Sequence, residues 1–254
     1  MSCTAIVLAG SRPGPDAFAE RFGVATKALI PLGGAPMIER PVMALLASKK
    51  VGDVVVLTQD PQALAGTVPD DPRIRLGESG ATIAATMLDL CARADTRWPL
   101  LVTTADHALL DPATVDEFLH AAAGADIAIG VVEHATMMRR LPQTMRTWLW
   151  LKGGGYTGAN LFMLRSPAVR PAIELWRSVE QDRKKAWRIL SLLGPVASFG
   201  ALFRAITLDQ VMTRLSKRLG LAVRAVTLSN ALAGLDVDKP EDHALAEAIL
   251  TGKA

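Results

Sequence analysis

Short apolar runs that stop abruptly at glycine, threonine or aspartate recur along the first half of this chain. Ala5-Ile6-Val7-Leu8 ends at Gly10, Val54-Val55-Val56-Leu57 ends in Thr58-Gln59-Asp60-Pro61, and Leu100-Leu101-Val102-Thr103-Thr104 ends in Ala105-Asp106-His107. Ile74-Arg75-Leu76 is a briefer run of the same kind, and Asp126 to Val132 another. Uninterrupted apolar runs of this length suit strands buried on both faces. Between them lie stretches with helical spacing. One opens with Pro36 at its first position and runs to about Ala47, one spans 81–92 with Ile83, Met87, Leu88 and Cys91 on its stripe, and one follows Asp111-Pro112 with Val115, Phe118 and Leu119 facing inward. Strand–helix alternation predicts an α/β fold with a mostly parallel sheet flanked by helices. Ligands of such sheets bind beyond the carboxyl ends of the strands. Gly10, the Thr58–Asp60 turn and Asp106 are therefore expected to meet there.

The second half is less regular. Lys152-Gly153-Gly154-Gly155-Tyr156-Thr157-Gly158-Ala159-Asn160 reads as a flexible glycine loop before a strand at Leu161–Leu164. Helices are expected from Pro167 to about Leu219, a late strand over Ala222–Leu228, and a final helix over Asp242–Leu250. Few boundaries look like linkers, so residues 1–254 are read as one domain with a helical insertion at 180–220, before the last strand.

Composition narrows the function classes. Half the residues are apolar, enough for a large core. The formal charge of +3 is compatible with anionic small substrates and gives no reason to expect nucleic acid. Two cysteines, Cys3 and Cys91, cannot make a four-ligand zinc site by themselves and read as reduced core thiols. The chain has no Gly-x-Ser-x-Gly elbow, no Gly-x-Gly-x-x-Gly and no Walker-type Gly-x-x-x-x-Gly-Lys, which argues against a serine hydrolase, a dinucleotide enzyme and a P-loop NTPase.

Five places can carry chemistry. After the first strand, Gly10 and Ser11 open a loop whose backbone N–H groups can approach a phosphate, with Arg12, Arg21 and Lys27 as the available cations. An ordinary strand-to-helix connection would explain that stretch equally. Asp106, directly after an apolar strand, is a hard oxygen donor at the ligand edge and suits Mg2+ bridging nucleotide phosphates. Helix capping is its alternative, but Asp111 already fills that role. Asp236 and Asp238, spaced by two, point to one side of an extended backbone, where they repel unless a cation or donor lies between them. A second metal position and capping of the last helix by Asp238 or Asp242 are both open. Ser79 and Thr82 can read a base or ribose, or cap their helix. Gly158 and Asn160 can let a substrate lie against backbone, or belong to a mobile surface hairpin.

Taken in order, Leu8-Ala9-Gly10, Lys27-Ala28-Leu29, Gly34-Ala35-Pro36-Met37-Ile38, Thr104-Ala105-Asp106-His107, Thr157-Gly158-Ala159-Asn160 and Asp236-Val237-Asp238-Lys239-Pro240-Glu241-Asp242 resemble the MobA-like nucleotidyltransferases of the GT-A-like, Rossmann-like superfamily. The resemblance implies attack of a phosphorylated acceptor, soluble or lipid-linked, on the α-phosphorus of CTP or GTP, with loss of pyrophosphate. It implies that Leu8, Ala9, Gly10, Ser11, Ser79 and Gly80 hold the nucleotide and that Lys27 and a loop arginine, Arg12 or Arg21 with Arg12 favoured, neutralise charge. It also implies that Asp106, Asp236 and Asp238 hold Mg2+, and that Gly158 and Asn160 face the acceptor. Ser11 stands where the family has a second glycine, and the stretch from Gly10 to Lys27 is longer than the family's loop. A sugar-nucleotide glycosyltransferase would want Asp-x-Asp at the strand end, where Thr104 stands two before Asp106. A catalytically silent nucleotide sensor is the alternative from another class.

The 180–220 stretch is basic and apolar. Core packing or a dimer interface explains it; contact with an anionic membrane is the other reading. Its longest uncharged run, Ile189 to Phe203, is shorter than the ~20 residues a spanning helix needs. The N-terminus lacks a basic region followed by an apolar signal segment, so a cytoplasmic protein is expected.

Overall fold

A computed structural model of the chain describes residues 2–11, 14, 16–180 and 205–253. Arg12 and most of the 180–220 stretch lie outside the described residues. The first strand, β1 (Cys3–Leu8), is buried along nearly all its length. Its side chains alternate between two layers: Cys3, Ala5 and Val7 enter one core and Ile6 the other. The same alternation runs through β4 (Val51–Thr58) and β6 (Leu100–Thr104), which flank β1 as parallel neighbours. β5 (Ile74–Glu78) extends the sheet beyond β4, again parallel. Each fully buried aliphatic side chain here contributes roughly 1.5–3 kcal/mol, so the mostly apolar runs leave no face of β1 free for solvent.

On the other side, β9 (Gly154–Leu164) lies antiparallel between β6 and β7 (Ile127–Glu133), and β10 (Val223–Thr227) is parallel to β7. The path is β10-β7-β9-β6-β1-β4-β5, with β8 (Leu149–Leu151) paired to β9 off that path. The expected mostly parallel sheet is present, with one antiparallel insertion. A short helix, α1 (Ala17–Arg21), follows the first strand and is capped by the Asp16 carboxylate. Helices α2 (Glu39–Ala47), α4 (Pro112–Ala121) and α8 (Pro240–Leu250) contribute to one core, joined by α5 (His134–Arg140) through Met137. Helices α3 (Ile83–Ala92) and α6 (Arg170–Glu180) cover the opposite face, and α7 (Leu208–Leu219) packs a third cluster beside β10. Helices α6 and α7 precede the last strand, as the sequence implied.

Four expectations are corrected. Pro36 does not open a helix. It lies in β3 (Ala35–Pro36), which pairs with β2 (Pro31–Leu32) in a hairpin turned by Gly33 and Gly34, both at positive φ, and the helix starts only at Glu39. The apolar run Ala28-Leu29-Ile30-Pro31-Leu32 reads in the sequence as a short extended piece, but Lys27–Leu29 is a 3-10 turn capped by the Thr26 hydroxyl, which accepts from the Ala28 N–H. The stretch from Gly154 to Asn160 is not a loop but the first part of β9, with Gly158 opposite Val131 and Tyr156 opposite both Glu133 and Leu149. Ladder hydrogen bonds from two neighbours hold a glycine-rich backbone that propensity alone would leave irregular. Ile83, expected on the inner stripe of its helix, is instead 41% exposed, because it stands at the first position of α3.

Asp111 caps α4 as expected. Its Oδ1 accepts from the Thr114 N–H at 2.6 Å, and its Oδ2 accepts from Asn230 at 2.9 Å, tying the helix start to the chain before α8. Asp111→Ala removes both bonds and is expected to lower unfolding stability by about 1–2 kcal/mol; urea denaturation of the two proteins measures it.

Candidate active site

Across the carboxyl edge in sheet order, the chain presents Ser79 after β5, Gln59 after β4, Gly10 and Ser11 after β1, and Asp106 after β6. Neighbouring strands are about 4.8 Å apart, so these residues form one continuous rim. Lys27 reaches the rim because its 3-10 turn is anchored by buried Ala28 and Ile30. The β2–β3 hairpin beyond it is clamped to α8, where His243 Nε2–H donates to the Pro31 carbonyl at 2.7 Å and Glu247 accepts from the Gly33 N–H at 2.7 Å.

The centre is a charged knot. Lys27 Nζ lies 2.5 Å from Asp106 Oδ2 and 2.5 Å from Asp238 Oδ1. The Thr104 hydroxyl donates to the other Asp106 oxygen. The Val237 N–H donates to the Asp106 carbonyl at 3.0 Å, splicing the 236–238 segment onto the end of β6. Buried Val237 anchors that segment in the core between the two aspartates. Asp236 pairs with Arg146 and accepts from Asn160 Nδ2 at 3.4 Å. Asn160 sits at φ 46°, beside an irregularity in the β7–β9 register, and a left-handed backbone there suits Asn better than most residues. Asp242 is buried and accepts from the Asp238 N–H at 3.3 Å; Lys239 stands at the N-cap of α8, and neither aspartate caps the helix.

Burial disfavours the Lys27 ammonium, but Asp106 and Asp238 outweigh that penalty and hold its pKa above the ordinary lysine value. Burial likewise opposes ionisation of Asp238, yet Lys27 and then Arg146 hold its carboxyl below the usual carboxylate range. For Arg146 burial wins over the nearby carboxylates of Asp242, Asp238 and Asp106, and its pKa falls. His107 is fully buried against Thr103, with Nδ1 and the hydroxyl 3.1 Å apart, and desolvation pushes its pKa down to about 4. It stays neutral and packs beneath the site.

At the glycine loop, the Gln59 side chain accepts from the Ser11 N–H at 2.9 Å and donates to the Ser11 carbonyl at 3.1 Å. A Cβ on Gly10 would come within 2.8 Å of that amide, so any larger residue would push the brace aside. Thr82 caps α3, accepting from the Ala85 N–H, whereas the Ser79 hydroxyl is buried without a hydrogen-bond partner among the described residues. The Gly80 N–H donates to Thr86. Leu8 and Ala9 are backbone elements of the rim: the Leu8 carbonyl accepts from the Ala105 N–H, and the Ala9 N–H donates to the Leu57 carbonyl. Gly158 is solvent-exposed on β9, two residues before Asn160, and a Cβ there would meet open space.

The structure thus brings together Lys27, Asp106, Asp236, Asp238 and Asn160, and places Gly10, Ser11, Ser79 and Gly80 along the same rim. Sequence reasoning missed Arg146 and Gln59. Arg146 could have been inferred from the demand of two alternate aspartates for more than one cation; Gln59 had no signal beyond its position at a strand end.

A Rossmann-like sheet with such a rim defines a nucleotidyltransferase. The chain belongs to the family of MobA-like NTP transferase domains, whose model matches residues 5–205. The structure of a hypothetical transferase from Thermus thermophilus is similar to it with a TM-score of 0.80 at 32% identity, covering 96% of this chain and 100% of that one. Two more distant structures share the fold. The 2-C-methyl-D-erythritol 4-phosphate cytidylyltransferase from the same organism has a TM-score of 0.54 at 18% identity, over 99% of this chain and 100% of the other. A CMP:2-keto-3-deoxy-manno-octonic acid synthetase complexed with CTP has a TM-score of 0.58 at 14% identity, over 100% of both. The sequence matches no curated protein. Among the described residues no helix is long and apolar enough to cross a membrane.

Because the folded Asp238 carboxyl titrates below its unfolded counterpart, the unfolded state takes up more protons as pH falls. Its contribution is present above the unfolded carboxylate pKa and is lost on acidification through the folded one. Thermal melts between about pH 6 and pH 3 are expected to show a shallower acid loss for Asp238→Asn than for the unaltered protein.

Proposed function

We propose that the protein transfers a nucleoside monophosphate from an NTP to a phosphorylated acceptor, releasing pyrophosphate, with Mg2+ as the metal. The single observation that carries this reading is the Lys27 ammonium held between Asp106 and Asp238 on the rim beside the Gly10–Ser11 loop. Two carboxylate oxygens converging on one cation fit Mg2+, which favours one or two carboxylates completed by phosphate oxygens. Asp106 and Asp238 would hold the metal. Asp236, paired with Arg146 and Asn160, would act from the next layer by orienting them. Bound there, the ion would neutralise charge on the triphosphate oxygens.

The chain's own groups supply the rest. An acceptor phosphate oxygen forms the new bond to the α-phosphorus, the bond from that phosphorus to the bridging oxygen breaks, and pyrophosphate leaves. No side chain need shuttle a proton, since both nucleophile and leaving group are anionic. Lys27, passing from its two carboxylates to the incoming polyphosphate, balances charge that builds on the leaving group. The Ser11 N–H and its Gln59 brace border the phosphates. Asn160, fixed in its left-handed conformation, offers an amide to the acceptor beside exposed Gly158. Positioning and charge neutralisation account for catalysis without an acid–base pair.

CTP is favoured over GTP. Of the two distant structures, one is named for cytidylyl transfer and the other holds CTP, and both support that choice. Thermal unfolding with each of the four NTPs and Mg2+ tests it. The preferred nucleotide at about a hundredfold its Kd is expected to stabilise by about 2.7 kcal/mol, several degrees in Tm for a domain of this size. The mechanism is tested by Asp106→Asn, which should keep the fold but lose roughly a thousandfold in pyrophosphate release and weaken Mg2+-dependent NTP binding. Unchanged turnover would remove Asp106 from the reaction.

A further inference from the structure

The segment His134 to Lys152 has a composition that the catalytic reading does not use. It contains no aspartate or glutamate, while it carries Arg139, Arg140, Arg146 and Lys152. Arg146 is turned inward to Asp236; Arg139, Arg140 and Lys152 are exposed. The same segment holds three of the six large apolar side chains exposed among the described residues: Met145 at 80%, Leu149 at 44% and Trp150 at 38%. Exposed apolar groups and exposed positive charge are thus carried on one segment.

The two tryptophans of the segment are packed in place. Helix α5 presents His134 to Trp148 at 4.7 Å and to Trp150 at 4.9 Å between ring centroids. Trp150 lies over Gly155 of β9, where a Cβ would come within 3.0 Å of the indole. Beside α5 is a hollow of about 320 Å3 lined by Thr136, Arg139, Arg140, Ser229 and Leu232 among others. Ser229 is bonded through its N–H and its hydroxyl to Glu117, so that nearby carboxylate already holds two donors.

We infer that this α5–β8 surface docks on an anionic lipid bilayer. Trp150, Leu149 and Met145 meet the interfacial layer, and Arg139, Arg140 and Lys152 meet lipid phosphates, with one headgroup phosphate in the hollow. Tryptophan favours the membrane interface because its ring is apolar and its N–H polar, and clustered cations add electrostatic attraction to anionic lipid. A soluble anion alone would use the arginines but leave the apolar side chains unexplained. The patch adjoins the catalytic rim through Arg146, six residues after Arg140 and paired with Asp236. Docking would therefore bring the open rim next to the lipid headgroups, whichever NTP the site uses.

Co-sedimentation with vesicles tests this. The protein is mixed with phosphatidylcholine vesicles containing about 30% phosphatidylglycerol, or none, at low and at high salt. Binding is expected to the anionic vesicles only and to weaken at high salt. Arg139→Glu with Arg140→Glu removes two cations, each worth about fivefold near such a surface, and should weaken partitioning at least ~25-fold. Met145→Ser with Leu149→Ser should weaken it as well; all four side chains are exposed, and unchanged Tm confirms intact folding. Absence of binding by the unaltered protein overturns the inference. So does binding that both double variants retain in full, which would place the contact elsewhere on the chain. Stabilisation by inorganic phosphate without vesicle binding would make the hollow a soluble-anion site. A dimer by light scattering that Met145→Ser with Leu149→Ser dissolves, again without vesicle binding, would assign the patch to a second copy; either result also overturns the inference.

Discussion

One ammonium group joins the two ends of this fold. Lys27 lies 211 residues from Asp238 and 79 from Asp106, yet contacts both. Without it, two carboxylates would face each other across a partly buried gap, an arrangement that favours protonating one of them or drawing in another cation. The knot is exposed enough to open: Asp238 is 56% accessible against 14% for Asp106. A partly solvated pair exchanges partners more readily than a dry one. The electrostatics that hold the rim together are thus the same ones that the proposed polyphosphate and metal would rearrange.

Around that knot the aspartates divide their tasks. Asp106 is fixed by Thr104 and by its own backbone splice to Val237; Asp238 faces it across the lysine. Asp236 looks toward Arg146 and Asn160, and buried Asp242 holds the Asp238 N–H and lies 3.9 Å from Arg146. The alternate spacing of Asp236 and Asp238 does bring both to the site, but each meets a different cation. Val237, buried between them, sets the alternation. Two cations are thus shared among four carboxylates: Lys27 between Asp106 and Asp238, Arg146 between Asp236 and Asp242.

Much of the rim was legible because strand ends announce themselves. β1, β4 and β6 are bounded by Gly10, Thr58 and Thr104 at or next to the end of an apolar run, and the topology of an α/β sheet then forces those ends together. Lys27 and Asp106 followed from that rule and from the resemblance. What stayed hidden depends on long-range pairing. The glycine-rich start of β9 has little intrinsic tendency to extend, and only the ladders from β7 and β8 make it a strand. Pro36 looked like a helix opener because its fixed φ suits both that role and the second arm of a tight hairpin. Arg146 lies in an irregular stretch where no periodicity points inward. Arg12 falls outside the described residues.

The span of the knot also bears on how the protein comes into being. Its two halves are supplied by the first thirty and the last twenty residues of the sequence, joined through a strand laid down between them. While the chain is still leaving the ribosome, the glycine loop and Asp106 can already stand on a partly formed sheet, but Asp238 is still to be made. A nascent polypeptide lacking residues 236–238 therefore carries Lys27 with one of its two carboxylate partners. It reaches the finished arrangement only after residues 236–238 have emerged, so this knot closes late in the assembly of the domain.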